Sequence, residues 1–468
     1  MRTSARKVVL GAGLLLAWGC LVPGMDPALP PPSSASRPAA GAGPHLNPFP
    51  PELARRMKAL VRAAEKYRGL QLRHRVPWGT VSEDELRKEV LADFQADLPP
   101  GKLAALELSL KAFGFVPESM DLKTYYPDLL ASQIAGFYDP HFKVLAVVDR
   151  HGSLLGKELA AQYGADMARR MEDGLLIHEL THVLQDQNFN LDRWDTPEPL
   201  SDPGAARLAL VEGDASLIMF DNLARARVEE LPAAPGMAEG LLADPDEQSD
   251  SPPGMPGEKE MRDAPAWFRD TLLFSYAQGY AFCLDVKQHG GQKLLDYAFA
   301  TDPPRSTEQI LHPEKWYGRR DDPISIVWPD LAPELPGFAK ASEGQLGEEG
   351  IKILLRRALD DRGRAAAAAA GWGGDRFAVY RREGQRLLAW IADWDTEADA
   401  ARFQAAAAQL GSGWIIARPA PRRVIVLRGA LPESERAAVA AKLAAARAEL
   451  PANRPIDPAL LFHPGARP

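Results

Sequence analysis

Leu175-Leu-Ile-His-Glu-Leu-Thr-His-Val-Leu-Gln-Asp186 is an apolar stretch that contains two histidines four positions apart. Its apolar residues recur at helical spacing, which predicts a largely buried helix. Because residues four apart lie on the same side of a helix, His178 and His182 can bind one metal ion together. Glu179 then points beside that ion toward a bound water, which is the arrangement of zinc hydrolases.

A catalytic zinc ion needs a third protein ligand as well as an open position for water. The best candidate is Glu212, which lies 30 residues beyond His182 in a second predicted helix over about 202–219. The residues around Glu212 are mostly apolar, and an unpaired charge is costly in such a place. The sequence therefore favours Glu212 as the third ligand over an ordinary helix glutamate.

Other segments indicate a mixture of helices and strands. Asp139-Pro140 is a turn signal, and the β-branched and aromatic residues on both sides predict a hairpin over 134–149. Trp267–Ala300 has helical periodicity. Helix and strand patterns alternate from residue 348 to about 450. Together these patterns predict the α+β fold class.

Five short blocks of sequence, spread between about residues 69 and 403, carry a resemblance to a known family. They are Ala135-Gly-Phe-Tyr-Asp-Pro140, His178-Glu-Leu-Thr-His-Val-Leu-Gln-Asp-Gln187, Leu210-Val-Glu-Gly-Asp-Ala215, Ser306-Thr-Glu-Gln-Ile-Leu-His-Pro-Glu314 and Gly371-Trp-Gly-Gly-Asp-Arg376. These blocks resemble a largely uncharacterised group of exported bacterial zinc metallopeptidases of gluzincin type. The resemblance implies a zincin-like (gluzincin) catalytic core, a mainly helical second lobe and a C-terminal α+β domain. It also implies Zn²⁺ as the cofactor, with His178, His182 and Glu212 as its ligands.

One position departs from the gluzincin pattern. Many gluzincins carry an aspartate four residues after the glutamate ligand, where this chain has Ser216. The nearby acid is Asp214, whose spacing differs. Asp214 therefore either orients a ligand histidine from the outer shell or serves helix packing.

The expected reaction is hydrolysis of a peptide bond in a peptide or protein substrate. Zinc activates a water, and Glu179 takes its proton and passes it to the leaving amine. The oxyanion needs a further hydrogen-bond donor, and the candidates are His312, Tyr138, Tyr276 and Tyr280. For each of them the alternative interpretation is a structural role in packing. The resemblance also puts Lys143–Val148 at a sheet edge, where an extended substrate would pair.

The N-terminus predicts export. Three basic residues precede the apolar run Val8–Trp18, which is too short to span a bilayer and is typical of a secretory signal. The following Gly19-Cys20 completes a stretch that resembles a bacterial lipoprotein box. Either Cys20 carries a lipid that anchors the protein to a membrane, or ordinary signal cleavage releases the chain into the periplasm or medium.

The composition of the chain excludes some kinds of protein and partner. The chain has 468 residues, 46% of them hydrophobic, so it is long enough for two or three domains and is not wholly disordered. The net charge is -8 and there is no basic cluster, so we expect no nucleic-acid partner. The only cysteines are Cys20 and Cys283, so the exported form has no pair for an internal disulfide.

We divide the chain into eight segments by composition and pattern. They are a signal at 1–20, a disordered Pro/Ala/Ser tether at 21–50, an N-terminal α+β region at 51–121, the catalytic core at 122–230, a disordered acidic Pro/Gly insertion at 231–265, a helical second lobe at 266–335, a C-terminal α+β domain at 336–450 and a tail at 451–468.

The sequence thus predicts a zinc metallopeptidase that acts in the cell envelope or outside the cell. Two alternatives stay open. One is a non-catalytic envelope lipoprotein or binding module that retains the zinc motif, since a motif does not prove turnover. The other is an amidase that acts on peptidoglycan peptides with the same zinc chemistry.

Overall fold

The computed structural model describes residues 44–140, 142–149, 161, 164–191, 200–224 and 258–461. Its helices are α1 Pro51–Arg68, α2 Glu83–Asp97, α3 Pro100–Phe113, α4 Leu122–Gln133, α5 Ala165–Phe189, α6 Asp202–Ala224, α7 Glu258–Asp263, α8 Ala266–Ala300, α9 Thr307–Leu311, α10 Glu314–Tyr317, α11 Gly347–Leu359, α12 Arg362–Ala369, α13 Glu397–Ala407 and α14 Glu433–Ala444. Its strands are β1 Trp78–Val81, β2 Gly136–Asp139, β3 Val144–Val148, β4 Ser325–Ile326, β5 Ala339–Gly344, β6 Trp372–Arg382, β7 Gln385–Trp394, β8 Trp414–Ala420, β9 Arg423–Arg428 and β10 Ala448–Glu449.

This mixture of helix and sheet confirms the α+β class. Among the described residues, no helix is both long and apolar enough to cross a membrane. The predicted signal, Cys20, most of the tether and residues 231–257 of the insertion lie outside the described residues.

A three-stranded sheet lies beside α5, in the order β1-β3-β2. The antiparallel pairing of β2 with β3, in which Tyr138 is opposite Leu145, confirms the predicted hairpin. β1 pairs in parallel with β3, so the segments predicted as the N-terminal region and the catalytic core share one sheet. The predicted edge position of Lys143–Val148 is therefore wrong, because β3 is central. Its unbroken apolar run is typical of a strand that is covered on both faces.

The helices α1, α5, α6 and α8 share the main hydrophobic core. α6 and α8 approach most closely at two glycines. A Cβ atom on Gly279 would lie 2.0 Å from the carbonyl oxygen of Ala209, and one on Gly213 would lie 2.1 Å from the carbonyl carbon of Gly279. Only residues without a side chain permit this approach. The crossing therefore fixes α6 against α8 at the position next to Glu212.

The C-terminal part is a five-stranded antiparallel sheet in the order β5-β6-β7-β9-β8. Alternate residues of its strands face opposite cores: Phe377 and Val379 pack with α11, α12 and α13, whereas Ala378 and Tyr380 pack with α14. Helices thus cover both faces of the sheet, which is the arrangement that buries two apolar faces at once.

Asp375 ties this sheet to the start of α11. Its carboxylate accepts hydrogen bonds from the backbone N–H groups of Leu346 and Gly347 and from the indole N–H groups of Trp372 and Trp390. A carboxylate at a helix N-terminus satisfies amides that have no partner within the helix. Asp375 and Trp372 therefore have a folding role.

The two segments that were predicted to be disordered, and the predicted tail, are partly in contact with the fold. Asn47, in the predicted tether, exchanges two backbone hydrogen bonds of 2.8 Å with Thr80 of β1. The end of the predicted insertion forms α7. Ile456, in the predicted tail, is buried in the main core. The predictions of disorder are wrong at these positions of the tether and the insertion. Proline and glycine content indicates where a helix is interrupted and does not indicate contacts with distant elements.

The chain forms a further small sheet after α14. This helix ends at Ala444, and Ala448–Glu449 pairs with Ser325–Ile326. Leu331 and Leu335 pack in the core beneath α14, so the end of the predicted second lobe at 266–335 belongs with the C-terminal sheet.

The glycine crossing leads to a stability prediction. We expect Gly279→Ala to lower the free energy of unfolding by about 3 kcal/mol or more, because its Cβ overlaps the backbone of α6. The control is Gly101→Ala, where a Cβ meets nothing within 4 Å. Thermal unfolding of both variants measures the difference. Equal melting temperatures would contradict the tight crossing.

Candidate metal centre

Three predicted ligands converge where α5 faces α6. His178 Nε2 lies 3.0 Å from His182 Nε2 and 3.2 Å from Glu212 Oε2. His182 Nε2 lies 3.5 Å from the same Glu212 oxygen. All three side chains are buried, with at most 2% of their surface exposed. The structure thus brings two imidazole nitrogens and a carboxylate oxygen to one point.

These separations fit a zinc-sized cation. Zinc binds nitrogen and oxygen at about 2.0–2.1 Å in tetrahedral sites, and a tetrahedron with such arms has edges of about 3.3–3.4 Å. The observed separations of 3.0, 3.2 and 3.5 Å lie around this value. Each residue also offers one ligand atom to the shared point. The three residues can therefore hold a metal and leave a fourth position free.

The protonation states also suit metal binding. Burial lowers the pKa of His178, which favours the neutral imidazole. Burial on its own raises the pKa of Glu212. The interactions with His182 and His178 have the larger effect and lower the pKa of Glu212 to about 2. Neutral histidine and ionised glutamate are the forms that coordinate metals.

Glu179 lies beside these ligands on α5 and is fully buried. Burial is the largest cause that raises its pKa, to about 8, with a further contribution from the charge of Glu212. The backbone of Tyr138 and the charge of His182 act against this rise, and neither carboxylate oxygen has a side-chain hydrogen-bond partner within the described residues. The edge strand β2 runs alongside, since a Cβ on Gly136 would lie 3.6 Å from Cγ of Glu179. Glu179 is thus a carboxylate available to a reacting group.

An outer layer of polar side chains surrounds His182. Its Nδ1 lies 2.9 Å from Oε1 of Gln185, whose amide nitrogen donates to Asp214 at 2.9 Å. Asp214 also pairs with the buried Arg68 at 2.6 Å. Asp214 therefore reaches the ligand histidine through Gln185 and not directly. Sequence reasoning missed Gln185 and Arg68; helical spacing offered a signal for Gln185, three residues after His182, but none for Arg68.

The two residues predicted as catalytic in addition to Glu179 are engaged elsewhere. The Tyr138 hydroxyl donates to Asp186 at 2.7 Å. His312 ends α9, and its Nε2 lies 3.0 Å from Glu348, which is the main cause that raises the pKa of His312. The structure does not bring these two groups into the cluster of ligands.

Tyr276 is the candidate that lies next to a ligand. Its ring stacks on that of His178, with centroids 6.1 Å apart and an angle of 26° between the planes. Tyr280, one turn later on α8, instead packs edge-on against Phe220.

A second acidic group lies between α9, α10 and the end of β7. Glu308, Asp321 and Asp395 are also close enough to share an ion. The ammonium of Lys315, however, lies among them, at 2.5, 2.9 and 2.6 Å from their oxygens. Lys315 thus supplies the positive charge there. The cluster connects the second lobe to the C-terminal sheet and does not call for a metal.

The comparisons with known proteins concern the C-terminal part alone. Residues 335–440 match a family described as a domain of unknown function, DUF8575. The match spans β5 to β9 and part of α14, and it contains none of the residues of the metal cluster. No curated protein and no solved structure matches the chain.

The Lys315 cluster leads to a prediction about pH. We expect Lys315→Met to destabilise the fold by about 3 kcal/mol, because three close carboxylates lose their counter-charge. Burial already raises the pKa of Glu308, and without the ammonium this rise increases. A native state with raised carboxyl pKa values binds more protons than the unfolded chain, so the variant should regain stability as the pH falls. Thermal unfolding between about pH 8 and 6 measures this. Lys340→Met, at an exposed ion pair, is the control.

Proposed function

We propose that the chain is a zinc-dependent metallopeptidase of gluzincin type, which hydrolyses peptide bonds in the cell envelope or outside the cell. The observation that carries the proposal is the convergence of His178, His182 and Glu212 within 3.5 Å of one another. The buried Glu179 beside them supports hydrolysis over a purely structural zinc, because a structural site has no use for an uncoordinated carboxylate.

A zinc ion held by three protein ligands keeps a position for water and lowers the pKa of that water to about 7. Glu179 accepts the proton of the attacking water and delivers it to the nitrogen of the departing amine. Its burial suits this role, since a carboxylate removed from solvent exchanges protons near neutral pH. The hydroxyl of Tyr276, whose ring stacks on His178, is the proposed donor to the oxyanion.

The substrate backbone is proposed to extend along β2. This strand is an edge of the three-stranded sheet and lies against α5 near Glu179. An extended peptide can add to such an edge through main-chain hydrogen bonds. The substrate strand thus pairs with β2, in place of the β3 segment that the sequence suggested.

A cavity of about 220 Å³, lined by α4, α6 and α8 among other elements, is proposed to take one substrate side chain. Three residues of the cavity wall are close in sequence to residues of the proposed site. Leu208 of α6 is one helical turn before Glu212, and Leu272 of α8 is one turn before Tyr276. Gln133, at the end of α4, lies just before β2. Most of its lining is apolar or aromatic, and its volume is below the roughly 300 Å³ of a small-molecule pocket. We therefore assign it to a bulky apolar residue next to the cleaved bond.

The proposed place of action rests on the N-terminal sequence. The basic residues and apolar run of residues 1–20 support export, and Cys20 supports a lipid anchor. Both lie outside the described residues.

Two matched substitutions test the metal and the chemistry separately. We expect wild-type protein to bind about one zinc ion per chain, and Glu212→Gln to bind clearly less, because it removes a ligand. Glu179→Gln makes the same chemical change beside the ion. It should keep the zinc yet cleave unfolded casein at least about 100-fold more slowly. Metal analysis by mass spectrometry and a casein assay measure the two effects.

Each other outcome favours a named alternative. Zinc without cleavage of casein or cell-wall fragments favours the envelope binding module. Cleavage of cell-wall peptides but not casein favours the peptidoglycan amidase. Absence of zinc from the wild type, even after addition of metal, overturns the proposed centre.

The cavity leads to a specificity prediction. Peptides with phenylalanine next to the cleaved bond should have a kcat/KM at least about 10-fold above that of the same peptides with glycine there. Ala205→Leu, on the cavity wall, should narrow the pocket and reduce this ratio while cleavage of the glycine peptide is retained. Equal rates for the two peptides would contradict the assignment.

A further inference from the structure

The second nitrogen of His182 has a defined partner. Its Nε2 faces His178 and Glu212, and its Nδ1 lies 2.9 Å from Oε1 of Gln185. A neutral histidine that offers one nitrogen to a metal must carry its proton on the other. The partner of Nδ1 therefore decides whether His182 is ready to bind an ion.

The chemistry of its neighbours fixes which way the Gln185 amide points. The nitrogen end of that amide lies 3.0 Å from the carbonyl oxygen of Val211 and 2.9 Å from Oδ2 of Asp214. Both are acceptors, so the NH₂ group must face them and the oxygen must face His182. An oxygen can only accept, so Nδ1 of His182 must donate, and Nε2 keeps its lone pair for the cluster.

Arg68 holds Asp214 in place beside Gln185. Its Nε donates to the same Asp214 oxygen at 2.6 Å, and another guanidinium nitrogen donates to Asp296 at 2.7 Å. Arg68 is fully buried, and its guanidinium lies over the rings of Phe189 and Phe299. The ion pair therefore fixes the position of the Asp214 carboxyl group, at which it accepts from Gln185.

We propose that Arg68, Asp214 and Gln185 form a positioning relay that fixes the tautomer of His182 and thereby sets the affinity of the centre for zinc. The inference rests on the proposed function for the presence of the metal. Arg68 is the last residue of α1. The relay therefore makes the N-terminal helix a component of the metal centre, and its removal would loosen a ligand.

The central test compares one substitution at two glutamines of the same helix. Gln185→Met keeps the size of the side chain but cannot hold Nδ1 of His182. We expect it to weaken zinc binding about 10–100-fold, which is the usual effect of losing an outer-shell partner. Gln187→Met is the matched control, because Gln187 is bonded to Arg73 and His74 and not to the cluster. Chelator competition gives the zinc affinity, and unfolding of the zinc-free proteins shows whether the fold is intact.

A second variant keeps the proposal testable if Gln185→Met does not fold. The double substitution Arg68→Met with Asp214→Leu removes both buried charges together, which avoids leaving either one unpaired. The amide of Gln185 then loses the acceptor that orients it, so zinc affinity should fall about tenfold. Asp296→Asn, at the partly exposed second partner of Arg68, should leave zinc affinity unchanged.

Two outcomes would overturn the relay, and they differ in what else they remove. If wild type binds zinc and folded Gln185→Met or the double variant binds it equally tightly, the relay is wrong and the metal centre stands. If wild type binds no zinc, the proposed function and the relay fail together.

Discussion

The close approach of α6 to α8 positions the residues on which the candidate site depends. Four consecutive residues of α6 contact three neighbouring helices: the Val211 carbonyl and Glu212 contact α5, Gly213 meets Gly279 of α8, and Asp214 pairs with Arg68 of α1. One helical turn can make all four contacts only if its neighbours are this close. Gly213 thus serves the helix crossing, and its small size next to a ligand is a consequence of that crossing.

The C-terminal part holds the same helix from its other end. Asp202, the first residue of α6, accepts hydrogen bonds from the backbone and hydroxyl of Thr307, and burial raises the pKa of Asp202 to about 7. The Thr307 hydroxyl in turn accepts from the backbone N–H of Glu349 in α11, whose start is capped by Asp375. The sequence blocks around Thr307 and Asp375 therefore contribute structure, because they position the helix that carries the metal ligand.

Local patterns predicted the parts of the site whose contacts are close in sequence. Histidines four apart, an apolar helix around Glu212 and a turn at Asp139-Pro140 each report a geometry set within one element. The sheet order could not be predicted in this way. It depends on β1, which lies about sixty residues before β3 and had no strand pattern that linked it to the hairpin. Arg68 is separated from Asp214 by 146 residues, and nothing in its own neighbourhood indicates a buried partner.

A cation at the shared point of His178, His182 and Glu212 would account for the buried polar groups around α5. Glu179 places a fully buried carboxyl group, with no side-chain hydrogen-bond partner within the described residues, next to the negative charge of Glu212. Each such group costs free energy in a protein interior unless it is compensated. Apolar residues at these positions would avoid that cost. A positive ion at the shared point would offset the charge of Glu212 and favour the ionised form of Glu179, and departures of this kind from good packing are characteristic of functional sites.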